Sequence, residues 1–234
     1  MQLFYTQQIE GDLAYLGEEE ARHCTQVLRK KAGDTLYMVD GQGGWYETIL
    51  TDARKKTCTL EIKHKTSDFG LKPYHLHIAI APTKNINRFE WFLEKATEIG
   101  IDEITPIICK HSERNKIRLD RLQKVVLSAM KQSLKAYLPK INELTKFDQF
   151  MKNLPTYEQG YIAHCEAIPK PLLNQNLPAG QKSLILIGPE GDFNSPEIEL
   201  AKANNFVPVS LGKSRLRTET AGIVAAHTVA LKNE

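Results

Sequence analysis

With 234 residues, 41% of them hydrophobic and 25% charged, the chain has the composition of one or two folded domains and not of a disordered or fibrous protein. No apolar run reaches the roughly 18 residues that a membrane helix needs, and the opening "MQLFYTQQIEGD" lacks a basic start followed by an apolar core, so the sequence predicts no membrane partner and a cytoplasmic location. A formal charge of +3 is too small to argue for a nucleic-acid partner by itself, and the four cysteines, Cys24, Cys58, Cys109 and Cys165, have no CxxC spacing that would suggest zinc or a compact disulfide framework.

In chain order, residues 1–66 carry short apolar runs, "LFYTQQ", "LAYLG", "TLYMVD", "GWYETIL" and "TCTLEIKH", punctuated by Asp40-Gly41 and Gly43-Gly44. Runs of this length rich in Thr, Val, Tyr and Ile read as strands joined by hairpins. One helix interrupts them, starting near Glu18 and carrying "EEARHCTQVLRK". The expected product is a small β-rich module, a barrel or a curled sheet. "KTSDFGLKP", residues 65–73, reads as a linker because Gly70 and Pro73 break regularity.

After the linker the rhythm changes. "LHIAIAP" (76–82), "EITPIIC" (103–109), "YIAHC" (161–165), "SLILIG" (183–188) and "FVPVSLG" (206–212) are strand candidates separated by helical segments. In the first helix Phe89, Phe92, Leu93, Ala96 and Ile99 share a face, and in the second Leu119, Leu122, Val125, Val126, Ala129 and Leu134 do the same. Alternating strands and helices imply an α/β domain with a mostly parallel sheet covered on both sides. His75 and His77 alternate on one strand and share a face, but without a third ligand no metal is assigned.

Charge is unevenly spread. From Lys84 to Lys140 there are twelve Lys or Arg against seven Asp or Glu, whereas residues 1–72 have ten against eleven. Local triplets stand at Arg29-Lys30-Lys31 and Arg54-Lys55-Lys56. Solvated helix faces account for such runs as readily as a polyanionic partner does.

Two strands end in glycine turns that lead into helices, "GPEG" at Gly188–Gly191 and "SLGKSRLRTETAG" at 210–222. Neither is a phosphate loop: Gly188 and Gly191 are three apart with no Lys after them, a GxGxxG fingerprint is missing, and Glu190 puts negative charge where a phosphate would sit. If the two strands are neighbours in a parallel sheet, their turns line one crevice with backbone N–H and C=O groups. Such a crevice suits a ligand read by main-chain polar groups and apolar contacts, such as an adenine.

Taken together, "LILIGPEGDFNSPEIELAKANNFVPVSLGKSRLRTETA", "RHCTQVLRKKAGD" (22–34), "EWFLEKATEIGIDEITPI" (90–107), "SER" (112–114) and "QS" followed by a later "P.I" (132–141) resemble the RsmE family in order and spacing. These are SPOUT-class RNA methyltransferases that methylate N3 of a uridine in 16S ribosomal RNA. The resemblance covers most of the chain. It implies a PUA-like β-barrel RNA-binding domain over 1–70 and a trefoil-knotted SPOUT methyltransferase domain over 71–234. It also implies S-adenosyl-L-methionine as cofactor, a homodimer, and 16S rRNA within the small ribosomal subunit as partner.

By motif position, the resemblance assigns the cofactor to Ile187, Gly188, Pro189, Glu190 and Gly191 of the first turn and to Leu211, Gly212, Leu216, Arg217 and Thr218 of the second. It assigns RNA contact to Arg22, His23, Arg29 and Lys30, and Arg88, Arg114, Gln132 and Lys135 of the central basic zone are expected to line the approach. Arg217 and Glu219 are the catalytic candidates, Arg217 to stabilise a uracil anion or align the base and Glu219 to accept a proton or orient Arg217. A carboxylate at Glu219 serves a helix N-terminus equally well, and Glu98 either faces the site as well or forms an ion pair with Lys95 on its own helix face.

Two departures from the family pattern stand out. Asp192 takes a place commonly held by Gly, which Asp tolerates because it adopts positive φ more readily than most residues. Lys131, Gln132, Ser133 and Lys135 replace a Glu-Gln-Ser and Arg arrangement, so no forked guanidinium is available at 135. The alternative function is a noncatalytic RNA-binding ribosome-assembly factor, against which the intact "GPEG" and "LRTETA" turns count.

Overall fold

The structure, a computed structural model, describes residues 1–166 and 169–234. The chain divides into two compact units, one of Met1–Leu71 with Leu127–Leu138 and one of Lys72–Val126 with Pro139–Glu234.

The first unit holds β1 (Leu3–Tyr5), β2 (Ile9–Glu10), β3 (Leu13–Leu16), α1 (Glu18–Arg22), a π-helical turn over His23–Val27, β4 (Thr35–Val39), β5 (Trp45–Ala53) and β6 (Cys58–Thr66). Its strands form one half-barrel sheet in the order β1-β4-β5-β6-β3-β2, antiparallel except where β1 runs parallel to β4. Strand alternation sends Ala14, Leu16, Leu36, Met38, Tyr46, Leu50, Cys58 and Leu60 to one buried cluster with Phe4 and Cys24. Leu3 and Val39 instead meet Met130 and Ala136, with Trp45, Leu127 and Leu138 against them. That cluster is why Leu127–Leu138, distant in sequence, belongs to this unit. Lys131 also pairs with Glu20 there.

The second unit contains β7 (His75–Ile80), α2 (Ile86–Ile99), β8 (Glu103–Ile108), the start of α3 (Leu119–Gln132), β9 (Lys140–Ile141), β10 (Thr145–Lys146) and α4 (Phe147–Lys152). After these come β11 (Gln159–Ala163), α5 (Leu173–Asn176), β12 (Lys182–Ile187), α6 (Ser195–Ala203), β13 (Phe206–Val209) and α7 (Thr218–Lys232). The sheet runs β10-β8-β7-β12-β11-β13, with β9 also on β8, and every pairing is parallel. Ser183–Ile187 of β12 is buried without a break, as expected of a strand covered on both faces.

From the edge strand β13 the chain returns across the sheet to α7, which packs on α2, β7 and β12. A knotted C-terminus requires such a crossing. Small residues allow the approach: a Cβ on Gly222 would lie 2.6 Å from the Phe92 ring, and Ala225 and Ala226 are buried beside it. Among the described residues no helix is long and apolar enough to cross a membrane.

Two expectations need correction. Leu134 is not on the apolar face of α3, because the helix ends at Gln132 and Leu134 sits at φ 55° and 39% exposed. The strands that end in the two glycine turns are not neighbours: β11 lies between β12 and β13, parallel to both. Each apolar run reads as a strand by itself, but nothing local to a run specifies the order in which the strands pair.

Candidate functional site

The loops that follow β11, β12 and β13 leave the sheet on the same side because the three strands are parallel, and they meet over a cleft of about 750 Å³. All ten residues assigned to the cofactor line it. β11 does not separate the two turns. It brings Ala163, His164 and Cys165, together with Lys170, into the same lining.

The first turn is tightly held. Glu190 accepts the Lys84 amide at 2.9 Å, joining the turn to the loop after β7. The Arg114 guanidinium braces that loop from the other side by donating to the Thr83 and Lys84 carbonyls. Asp192, at φ 63°, accepts the Cys165 amide at 2.6 Å and the Phe193 amide at 2.9 Å, so the residue that replaces glycine keeps the turn and adds a tie to the β11 loop. His111 Nδ1 lies 2.9 Å from the Gly191 carbonyl and 3.1 Å from that of Asp192. Gly191 is required by this approach: a Cβ there would stand 2.9 Å from the Cβ of His111.

Just beyond, Asn194 and Glu197 close a capping box at the start of α6, and the other Glu197 oxygen accepts the Lys110 amide at 2.7 Å.

The second turn is open. Gly212 has φ 133°, which L side chains rarely adopt, and a Cβ there would meet nothing within 4 Å. Its amide reaches Ser210 Oγ at 3.2 Å. Residues 212–215 and 217 are exposed, and Arg217 forms the N-cap position of α7 with its backbone extended.

Glu219 is buried and does not orient Arg217; its carboxylate lies 3.8 Å from Arg88 Nε, and Arg88 itself lines the cleft. Glu98 pairs with Lys95 at 2.9 Å.

His164 is buried at the end of β11, and burial followed by the nearby Lys170 charge pushes its pKa below the usual imidazole value. Lys170 Nζ stands 3.5 Å from His164 Nδ1. An ammonium only donates, so Nδ1 accepts and the ring proton belongs on Nε2. Among the described residues that Nε2 has no hydrogen-bond partner. The sequence offered one signal for this loop, a polar His-Cys pair closing an apolar strand, since ligands gather at the carboxyl ends of parallel strands.

The residues assigned to RNA fall in two groups. Arg22, 3.9 Å from Glu18, and His23, whose ring is 6.0 Å from that of Phe4, end α1 and open the π turn. Arg29 follows at φ 56°, and the Lys30 amide donates to the Cys24 carbonyl. Gln132 and Lys135 belong to the same unit, whereas Arg88 and Arg114 belong to the other. Three cysteines are buried and Cys165 is exposed. Among the described residues no group of His, Cys, Asp and Glu could hold a metal ion.

Residues 71–230 match the RNA methyltransferase domain family and residues 16–63 the RNA methyltransferase PUA domain family. The Ribosomal RNA small subunit methyltransferase E of Synechocystis sp. is 30% identical over 213 residues, covering 88% of this chain and 69% of that protein. The crystal structure of a probable rRNA-methyltransferase from Porphyromonas gingivalis superposes with a TM-score of 0.91 at 41% identity, over 100% of this chain and 98% of that one. The Ribosomal RNA small subunit methyltransferase E from Neisseria gonorrhoeae, solved bound to S-adenosyl methionine, gives 0.84 at 27% identity over 97% and 95%. With both its units matched and its three strand-end loops gathered on one cleft, the chain belongs to the ribosomal RNA small subunit methyltransferase E family of RNA methyltransferases.

Proposed function

We propose that the chain transfers a methyl group from S-adenosylmethionine to N3 of a specific uridine in 16S rRNA of the small ribosomal subunit. The observation that carries this reading is the convergence of the β11, β12 and β13 loops on one cleft in a chain of this family.

The cleft fits the cofactor. About 750 Å³ is an ordinary volume for a small-molecule site. Ile187, Val209, Leu211 and Leu216 offer apolar contact, and Gly212 leaves open space where a side chain would stand. Bound there, S-adenosylmethionine supplies an electrophilic methyl group carried on a sulfonium.

Uracil N3 carries a proton, and its loss leaves negative charge spread over the flanking carbonyl oxygens. Arg217 has no carboxylate partner among the described residues and lines the cleft, so its guanidinium is available to stabilise that charge. Glu219 acts one step removed. It holds Arg88 at the cleft and places a carboxylate beside the positive end of α7.

In this reading residues 1–70 are the RNA-binding PUA-like domain and 71–234 the methyltransferase domain. Arg22, His23, Arg29 and Lys30 contact the RNA together with Gln132 and Lys135, which pack with the first unit. Arg88 lines the approach, and Arg114 serves as the brace of the Thr83–Lys84 loop. The acting species is a cytoplasmic homodimer, and the substrate is the assembled subunit.

The test delivers tritiated S-adenosylmethionine with small ribosomal subunits that lack the modification, and maps the label by nuclease digestion and mass spectrometry. Label on N3 of a single 16S uridine, lost roughly a hundredfold in Arg217→Ala even when the variant is saturated with cofactor, is the expected result for a group that stabilises developing charge. Label at another atom overturns the N3 assignment. Absence of label with the cofactor bound overturns the acceptor.

A further inference from the structure

The charge around the cleft does not match the cofactor proposed for it. S-adenosylmethionine carries a sulfonium, an ammonium and one carboxylate, so it is a net cation and gives no reason for cationic side chains in excess. The lining instead holds five cationic side chains, Arg88, Lys170, Lys213, Arg215 and Arg217, against two carboxylates, Glu190 and Asp192. Both carboxylates already accept backbone amides, Glu190 from Lys84 and Asp192 from Cys165 and Phe193.

The cations differ in what holds them. Arg88 faces Glu219 at 3.8 Å, and the Lys170 ammonium donates to the Glu166 carbonyl. Lys213 and Arg215 form no ion pair among the described residues and stand exposed on the short run between Gly212 and α7. Like charges two residues apart in the chain repel one another, and among the described residues no carboxylate pairs with them to relieve that. A polyanion would, and the run is anchored at both ends, at Ser210–Gly212 by a side-chain hydrogen bond and at Thr218 by the start of a helix.

We propose that Lys213 and Arg215 form a clasp for two phosphates of the RNA backbone beside the nucleotide that enters the cleft, separate from the cofactor contacts made by Leu211, Gly212 and Leu216. The inference rests on the RNA methyltransferase reading and adds a part of the site that places the substrate strand. Phosphate contacts of this kind fix register and orientation and carry no sequence information, so the clasp positions the target and leaves its choice to other residues.

The test compares the chain with Lys213→Ala/Arg215→Ala in two binding measurements, S-adenosylmethionine by calorimetry and the 16S rRNA of small ribosomal subunits that lack the modification across a salt series. The expected outcome is cofactor affinity within about twofold of the parent and RNA affinity lowered about tenfold, with a log–log salt slope shallower by about 1.4 for two single-stranded phosphates. A Lys213→Arg/Arg215→Lys variant keeps both charges and restores the slope, which a merely structural role for the run would not explain.

An unchanged RNA affinity and slope overturns the clasp, as does a cofactor affinity that falls as far as the RNA affinity. A parent protein that binds RNA without binding S-adenosylmethionine overturns the methyltransferase reading, and the clasp is then still judged by its slope. A parent that binds neither removes both.

Discussion

The two glycine turns of the cleft look alike in sequence and are built in opposite ways. The turn after β12 is fastened from three directions, by Glu190 to the Lys84 amide, by Asp192 to the Cys165 amide and by His111 to two of its carbonyls. The turn after β13 is tied at its start, where Ser210 exchanges backbone hydrogen bonds with Pro171 and Leu173 and its hydroxyl bridges the Gly212 amide and carbonyl, and from Gly212 on it becomes an exposed cationic run. Glycine is needed in the first because neighbours crowd it and in the second because the backbone turns through positive φ in open space. A site that must hold a small cofactor and admit a large strand gains from this division. The crowded wall stays in place, and the open one has room to meet RNA.

The most damaging test of this contrast is Gly191→Val. The new side chain collides with His111, and overpacking of this kind costs about 1–3 kcal/mol. If the turn must recover its parent geometry to bind, that strain lowers S-adenosylmethionine affinity in calorimetry by about 5- to 150-fold. A variant that binds as the parent does would show that the first turn is not a rigid wall.

Asp192→Ala comes next. It leaves the Cys165 and Phe193 amides without their carboxylate and puts Ala at positive φ. Because water reaches this surface, the expected cost is about 1 kcal/mol, at the low end for an unmade hydrogen bond. The expected readout is faster amide hydrogen exchange at Cys165 as well as weaker cofactor binding. Unaltered exchange at Cys165 would mean that the two loops are not coupled through this side chain.

Gly212→Ala should be milder for the fold, since nothing lies within 4 Å of the new methyl group. Its penalty is backbone strain of about 1 kcal/mol, which an exposed loop relieves by moving. Thermal stability should therefore stay near the parent value while cofactor affinity falls several-fold. A drop in the unfolding midpoint as large as that of Gly191→Val would erase the distinction between the turns.

The smallest effect concerns His164. Its folded-state pKa is depressed, by burial first and then by Lys170, so as pH falls below the ordinary imidazole value of about 6.5 the unfolded chain takes up a proton that the folded chain resists. Stability should therefore be intact above that value and decline as the pH falls toward the depressed folded-state pKa. His164→Gln should flatten this part of the stability profile, and an NMR titration midpoint for His164 at or above the ordinary value would refute it.

Much of the site was legible because its signals are local. The apolar runs ending at Ile80, Ile108, Ala163, Ile187 and Val209 read as strands without any knowledge of their partners, and the Gly-rich segments after two of them marked where a backbone could approach a ligand. The helix faces around Phe89 and Leu122 followed from spacing alone. The two-residue strands β9 and β10 are too short to show a period, and the end of α3 at Gln132 left Leu134 outside a pattern that it completes only on paper.

The sequence by itself determined the type of each long element, the positions of the two turns and, by resemblance, the family. Only the tertiary structure decided that β11 stands between β12 and β13, that its loop carries His164 and Cys165 into the cleft, and that Glu219 pairs with Arg88 instead of Arg217. It also decided that Leu127–Leu138 packs with the first unit. The physical reason is range. Turn and strand propensities act over a few residues, whereas strand order and ion pairing depend on which distant segments bury one another.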